Sequence, residues 1–238
     1  KIVEKLIDIS KQDWDSFETS WEFKINLLIQ KSRELDKGLL EHIYADLKDD
    51  WKDKTNTMMG FEEENNLLFL KTYGLENELD NRVPIYKVSI KRNPHYRYNK
   101  NSSENELFER LLEDTIKEFI SYGVGCTFGR YSLDQTGLIL AKQGETIDDY
   151  LIKIPEPSYL PDKDNVIPIV EGDWFPDGAA SRFKEFLRVN FGDEYFTENL
   201  AFVEEAIGRS IEDYFLKDFI DDHIQMYQKR PIYWLFSS

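Results

Sequence analysis

Apolar positions recur three and four residues apart through the first eighty residues, the spacing of one helix face. Ile2, Leu6 and Ile9, then Trp14, Phe17, Trp21 and Leu28, form a first stripe. A second runs through Leu40, Tyr44, Leu47 and Trp51 and ends before Gly60. A third helix is predicted from Glu62 to Tyr73, with acids in its first turn, where the dipole favours them, and Gly74 as its stop. The run VPIYKVSI at 83–90 places Tyr86, Val88 and Ile90 on one side and predicts a short β-strand. Pro84 confines that strand to a start or an edge.

Ser103 with Glu106 three residues on is a capping box. It opens a helix with Leu107, Leu111, Phe119 and Ile120 on its apolar face, predicted to reach Tyr122 and to be ended by Gly123, Gly125 and Gly129. A short apolar piece follows at 138–141. Five of the eight prolines fall within 155–176, a rigid connector. Beyond it, Asp177 is expected to cap a helix carrying Phe183, Leu187 and Phe191 and stopped by Gly192. A next helix carries Phe196, Leu200, Val203 and Ile207 up to Gly208, and Ser210 with Asp213 opens a last one bearing Ile211, Phe215, Phe219 and Tyr227. The expectation is a mainly α fold with a few short β-strands. Residues 1–154 form a helical subdomain holding the strand and a basic segment at 82–100, 155–176 the connector, and 177–238 a second helical subdomain. Lys1 in place of an initiator Met, and the apolar run Ile232, Tyr233, Trp234, Leu235 and Phe236, give the expectation of a piece cut from a longer protein, ending in a truncated apolar segment.

Composition narrows the class. Hydrophobic residues at 41% and aromatics at 14% exclude a disordered chain despite a net charge of −16. No apolar run approaches the roughly 18 residues of a membrane span. The lone Cys126 excludes an intrachain disulfide and fits a reducing compartment, so the expected location is cytoplasmic and no membrane partner is expected. The charge is uneven, −8 over residues 1–80, +3 over 81–131 and −11 over 132–238. Within the middle block Arg82, Lys87, Lys91, Arg92, Arg97 and Lys100 follow one another without an acid, interleaved with Tyr86, His95, Tyr96 and Tyr98. Such cations neutralise phosphates and such rings stack on bases. The same pattern also describes a solvated loop, and a chain of this charge opposes DNA approach at low salt.

The remaining motifs lack their chemical context. GVGCTFG at 123–129 follows a helix, whereas a phosphate cradle needs its glycines between a strand and a helix start, so close packing or a tight turn is the expected role. Cys126 has no C-x-x-C partner, and His42, His95 and His223 are far apart, which favours a small buried thiol over a nucleophile. Asp221, Asp222 and His223 are adjacent and point apart. Asp162, Asp164 and Asn165 open like a calcium loop, but Val166 stands where the turn needs Gly. NPHY at 93–96 invites comparison with the NPPY of adenine amino-methyltransferases, which hold the target amine with the Asn side chain. His95 replaces the second proline and basic residues precede the motif, so it reads as a turn displaying Arg92, Tyr96, Arg97 and Tyr98. No catalytic, cofactor-binding or metal-binding residue is predicted.

Several strings together resemble one family: DWDSFETSWEF at 13–23, FEEENNLLFLKTYGLENEL at 61–79, NPHYRY at 93–98 and SYGVGCTFGRYSLD at 121–134, with GLILA at 137–141, DNVIPI at 164–169 and KRPIYWLFSS at 229–238. They are similar to the large adenine-specific DNA methyltransferases of the PglX type, from BREX phage-defence systems, and to related fused restriction–modification enzymes. The resemblance covers nearly the whole chain; Gly123 and Thr127 depart from the Ala and Met expected there. It implies a parent enzyme that moves a methyl group from S-adenosylmethionine to adenine N6, with its catalytic and target-recognition domains upstream and this chain in its C-terminal region. No S-adenosylmethionine motif or NPPY is present here, so no catalytic residue carries over. The resulting expectation is a non-catalytic helical scaffold that contacts DNA phosphates through Lys91, Arg92, Arg97, Arg130, Lys229 and Arg230, with Tyr96 and Tyr98 alongside. The alternative is a protein-interaction module docking other defence-system subunits or inhibitors by its acidic face.

Overall fold

The computed structural model describes residues 1–98, 101–171 and 175–235, and every structural statement below concerns those residues. Lys100 of the basic segment, Phe236 of the apolar run and residues 172–174 of the connector lie outside them. The fold is mainly α. In chain order the helices are α1 (Ile2–Asp15), α2 (Leu27–Leu35), α3 (Leu40–Tyr73), α4 (Pro94–Arg97) and α5 (Glu104–Thr127), followed by α6 (Ile147–Lys153), α7 (Ala179–Phe191), α8 (Phe196–Ile207), α9 (Ile211–Lys217) and α10 (Phe219–Met226).

α5 is the axis of the main core. Ile116, Phe119 and Ile120 face Phe183, Phe186 and Leu187 of α7 and Val203 and Ile207 of α8, and Leu28, Ile29, Leu40, Ile43 and Leu47 close the other side. Residues on both sides of the Pro-rich segment thus share one apolar cluster. Long-range polar contacts tie it together: buried Asn199 on α8 accepts a hydrogen bond from the Leu40 amide at 2.8 Å and donates to the Gly38 carbonyl at 2.7 Å, satisfying the start of α3. Smaller clusters gather Met58, Val88 and Ile90 under α1, and Ile139, Tyr150 and Ile154 around α6.

Several punctuation signals act as the sequence predicts. The capping box at Ser103 and Glu106 is formed on both sides. Gly74 and Gly208 end α3 and α8 in the left-handed conformation, and Gly192 ends α7. Ser210 accepts from the Asp213 amide at the start of α9.

Other expectations are corrected. The predicted strand at 83–90 is a 3-10 turn at Ile85–Lys87, and no strand occurs among the described residues. Pro84 lacks an amide hydrogen, and the Asn93 side chain takes the Ile85 and Val88 carbonyls at 2.8 and 3.0 Å, so the groups a partner strand would need are spent. The helix expected to end before Gly60 runs unbroken to Tyr73, because Gly60 sits in open space with nothing to interrupt the turn. α5 does not stop at Gly123. It continues to Thr127, and its two glycines let rings approach: a Cβ on Gly123 would stand 3.1 Å from Phe186, and one on Gly125 2.6 Å from Tyr131. Only Gly129, at φ +70°, acts as punctuation there. Gly178 rather than Asp177 takes the N-cap of α7, and the last predicted helix divides at Asp218 into α9 and α10. The first stripe also breaks, since α1 ends at Asp15 and the turns of 16–26 leave Trp21 98% exposed.

Candidate nucleic-acid interface

The basic segment approaches α4 through a set of internal pairs. Val88 and Ile90 bury against Met58, which carries the backbone beneath α1. There the buried Asp13 carboxylate accepts the Lys91 and Arg92 amides at 2.7 and 3.1 Å. Burial pushes the Asp13 carboxyl above its ordinary value, and those two amide bonds pull the other way. Asn93 then caps α4 by accepting from the His95 amide at 3.1 Å while its own amide holds the two carbonyls named above.

The candidate cations have unequal fates. Arg92 is 4% exposed: its Nη1 lies 2.8 Å from the Glu118 carboxylate, and its guanidinium carbon sits 4.1 Å from the Phe17 ring and 5.0 Å from that of Trp51. Arg97 is half-buried, with Nη2 2.6 Å from the Asp114 carboxylate. Tyr98 donates to the same carboxylate at 2.7 Å. Lys91 is exposed, with Nζ 4.6 Å above Trp14 and 5.0 Å above Phe17. Tyr96 is exposed on α4. The fold thus gathers Lys91, Arg92, Tyr96, Arg97 and Tyr98 in one place, with two of the three charges turned inward.

Arg130 stands apart. It follows α5, donates from Nε to the Tyr131 hydroxyl at 3.3 Å and is half-buried. Lys229 and Arg230 are exposed just beyond α10, where Gln228 and Lys229 both take positive φ.

Between these groups lies a charge that no sequence pattern singles out. Glu18, in the turns after α1, is buried; it accepts from the Ser121 hydroxyl of α5 at 2.7 Å and from the Tyr227 hydroxyl beyond α10 at 2.8 Å. Burial pushes its carboxyl upward, while the two hydroxyls and then the Arg130 charge pull it down. Nothing marks this residue among 46 acids; its partners are more than a hundred positions away. Nearby, buried His223 accepts the Ile232 and Tyr233 amides on Nε2 at 3.0 and 3.2 Å, so its proton sits on Nδ1. Burial, then the Arg130 charge, lowers its pKa to about 4. Tyr233 stacks on Phe128 with centroids 4.5 Å apart, which pins the start of the terminal apolar run, whereas Trp234 and Leu235 are exposed.

Reactive chemistry does not assemble here. Cys126 is buried, and burial holds its thiol well above the ordinary range, where it is a poor nucleophile. No group of three or more His, Cys, Asp or Glu able to hold a metal ion stands together among the described residues. A mostly apolar cavity of about 870 Å³ lies between α5, α7, α10 and the terminal run, with Arg130 and Arg182 on its wall. No helix among the described residues is long and apolar enough to cross a membrane.

No family model matches the chain. Among curated proteins it is 36% identical over 252 aligned residues to the adenine-specific methyltransferase BrxX of Escherichia coli O9:H4 (strain HS). It is 35% identical over 249 to the adenine-specific methyltransferase PglX of Lacticaseibacillus casei (strain Zhang). Both matches take in all of this chain, which spans about 20% and 19% of those relatives. From end to end, then, the chain is similar to a stretch of adenine-specific methyltransferases of the BrxX and PglX kind, the family that its sequence strings resemble.

Proposed function

We propose that this chain is the non-catalytic C-terminal scaffold of an adenine-N6 DNA methyltransferase acting in phage defence or restriction–modification. The parent would take its methyl group from S-adenosylmethionine, bound in domains upstream, and this region would brace those domains and touch DNA phosphates. The observation that carries the reading is the whole-chain similarity to about one fifth of two named adenine-specific methyltransferases. The fate of its polar side chains agrees with it: Asn93, Glu18, Arg92 and His223 are all engaged in holding the fold.

Among the candidate cations, the exposed Lys91, Lys229 and Arg230, with Tyr96 beside Lys91, are free to meet phosphates, while Arg92, Arg97, Tyr98 and Arg130 support them from within. In the full polypeptide, changing Lys91, Lys229 and Arg230 to Glu is expected to weaken duplex binding and lower its salt slope by about one for each phosphate left unneutralised. S-adenosylmethionine affinity should not move. Methyl transfer to duplex DNA by residues 1–238 alone would refute the non-catalytic part.

A second reading, docking of other defence-system proteins, draws on the fully exposed Trp21 and the charge of −16. Partner capture that survives the triple change to Glu but is lost with Trp21→Ala, with no DNA binding by either form, would favour it.

A further inference from the structure

α3 outlasts its partner. Lys5 of α1 places Nζ 4.7 Å from the Phe61 ring, and Gln12 accepts from Lys54 at 3.3 Å, so α1 runs antiparallel along α3 in constant register. At 100° per residue, Phe61, Leu68, Phe69 and Thr72 all fall within about 60° of Lys54 on the helix wheel. The face that receives α1 therefore continues for two further turns beyond the point opposite Lys1. On those turns the packing stops: Phe69 is 56% exposed and Tyr73 70%, with Leu68 also exposed. The two rings stack on each other, centroids 6.5 Å apart, and the helix closes on Gly74 in the left-handed conformation, so the stripe lies on regular helix to its end. An amphipathic face of this kind normally has an apolar cover.

We propose that the cover is the polypeptide preceding Lys1, running back from α1 as the same helix. This inference rests on the reading of the chain as one part of a longer methyltransferase, in keeping with relatives about five times its length. The register sets Leu68 and Phe69 opposite about the third and fourth residues ahead of Lys1, with Tyr73 at the margin of that face, about 100° from Lys54 on the wheel and level with about the eighth. The covering segment carries apolar side chains at three- and four-residue spacing on that side. It carries a basic one at its margin, because Glu64, one turn before Leu68 on α3, is exposed and has no ion pair among the described residues. α1 and α3 then form one continuous antiparallel hairpin from which the upstream domains extend.

The test uses the full natural polypeptide. A photo-crosslinker at position 69 is expected to bond to residues within about ten positions ahead of Lys1, and amides of 66–73 to exchange slowly; a crosslinker at Ile152, 78% exposed, is the control. A proline placed about four residues ahead of Lys1 should break the extension and raise exchange at 66–73 about tenfold, leaving α5 unchanged. Crosslinks to a second copy or to a distant domain, fast exchange at 66–73, or a polypeptide with nothing ahead of Lys1 would each overturn the proposal. Adenine methylation by the same polypeptide is scored separately: protection at 66–73 without methylation supports the hairpin and sinks the methyltransferase reading, and methylation without protection does the reverse.

Discussion

Two charged groups flank the turns after α1, and they are held in opposite ways. On one side Phe17 meets Arg92, a buried cation matched by the Glu118 carboxylate and faced by rings. On the other, the next residue, Glu18, is a buried acid held by neutral hydroxyls, with Arg130 further off. The first arrangement neutralises charge and fixes geometry. The second leaves a carboxylate whose ionisation is opposed by its surroundings. Adjacent positions in one turn thus anchor the same loop to the segment leading into α4 on one side and to α5 and the segment beyond α10 on the other, one by a ring–cation contact and one by hydrogen bonding.

Breaking the cation side should cost most. Arg92→Met takes its nearer partner from the half-buried Glu118, leaving it only Arg97 at 3.5 Å, and is expected to destabilise the fold by about 3 kcal/mol in denaturant unfolding, with most of that regained in the double change Arg92→Met, Glu118→Met. Equal losses in the single and double variants would show that ring contacts, not the charge pair, hold the site.

The acid side should be read by pH. Glu18 binds its proton more tightly folded than unfolded, so its contribution falls as pH rises above the ordinary carboxylate range; Glu18→Gln is expected to gain stability on the parent chain between pH 4 and 8. His223 has the opposite sign. Its pKa is depressed from 6.5 to about 4, so the folded state loses stability as pH falls through that interval, and His223→Gln should flatten this acid limb. A pH profile unchanged by both substitutions would remove the contrast between the two sides.

Packing tests sharpen it further. Gly125→Ala drives a methyl into Tyr131, whose hydroxyl receives Arg130, and is expected to cost about 1–3 kcal/mol in thermal unfolding. Gly60→Ala, in open space within α3, should stabilise by about 0.5–1 kcal/mol. A loss at Gly60 would mean that α3 bends there.

These glycines also mark how far the fold is legible in the sequence. Local signals are sound where the physics is local: Ser103 with Glu106, and Gly74, Gly192 and Gly208, each act within a turn of themselves. Gly123 and Gly125 look like the same signal, yet their role is set by Phe186 and Tyr131 pressing on α5 from the side, information that no neighbouring residue carries. The candidate site is legible as a cluster and not as a surface. Sequence shows that Lys91, Arg92 and Arg97 are positive; it does not show that Asp13, far upstream, and Glu118, twenty-six positions downstream of Arg92, draw the backbone and the guanidinium inward. Glu18 is invisible for the converse reason, an ordinary acid made unusual only by what surrounds it.

Asn93 carries a consequence for how short motifs are judged. An asparagine that grips a base must arrive with its amide hydrogens and carbonyl oxygen uncommitted, since a group already bonded can serve a newcomer only by abandoning what it holds. Here all three are engaged in closing a tight bend. Tetrapeptides that look alike on paper can therefore be sorted by counting the bonding capacity each side chain has left to offer.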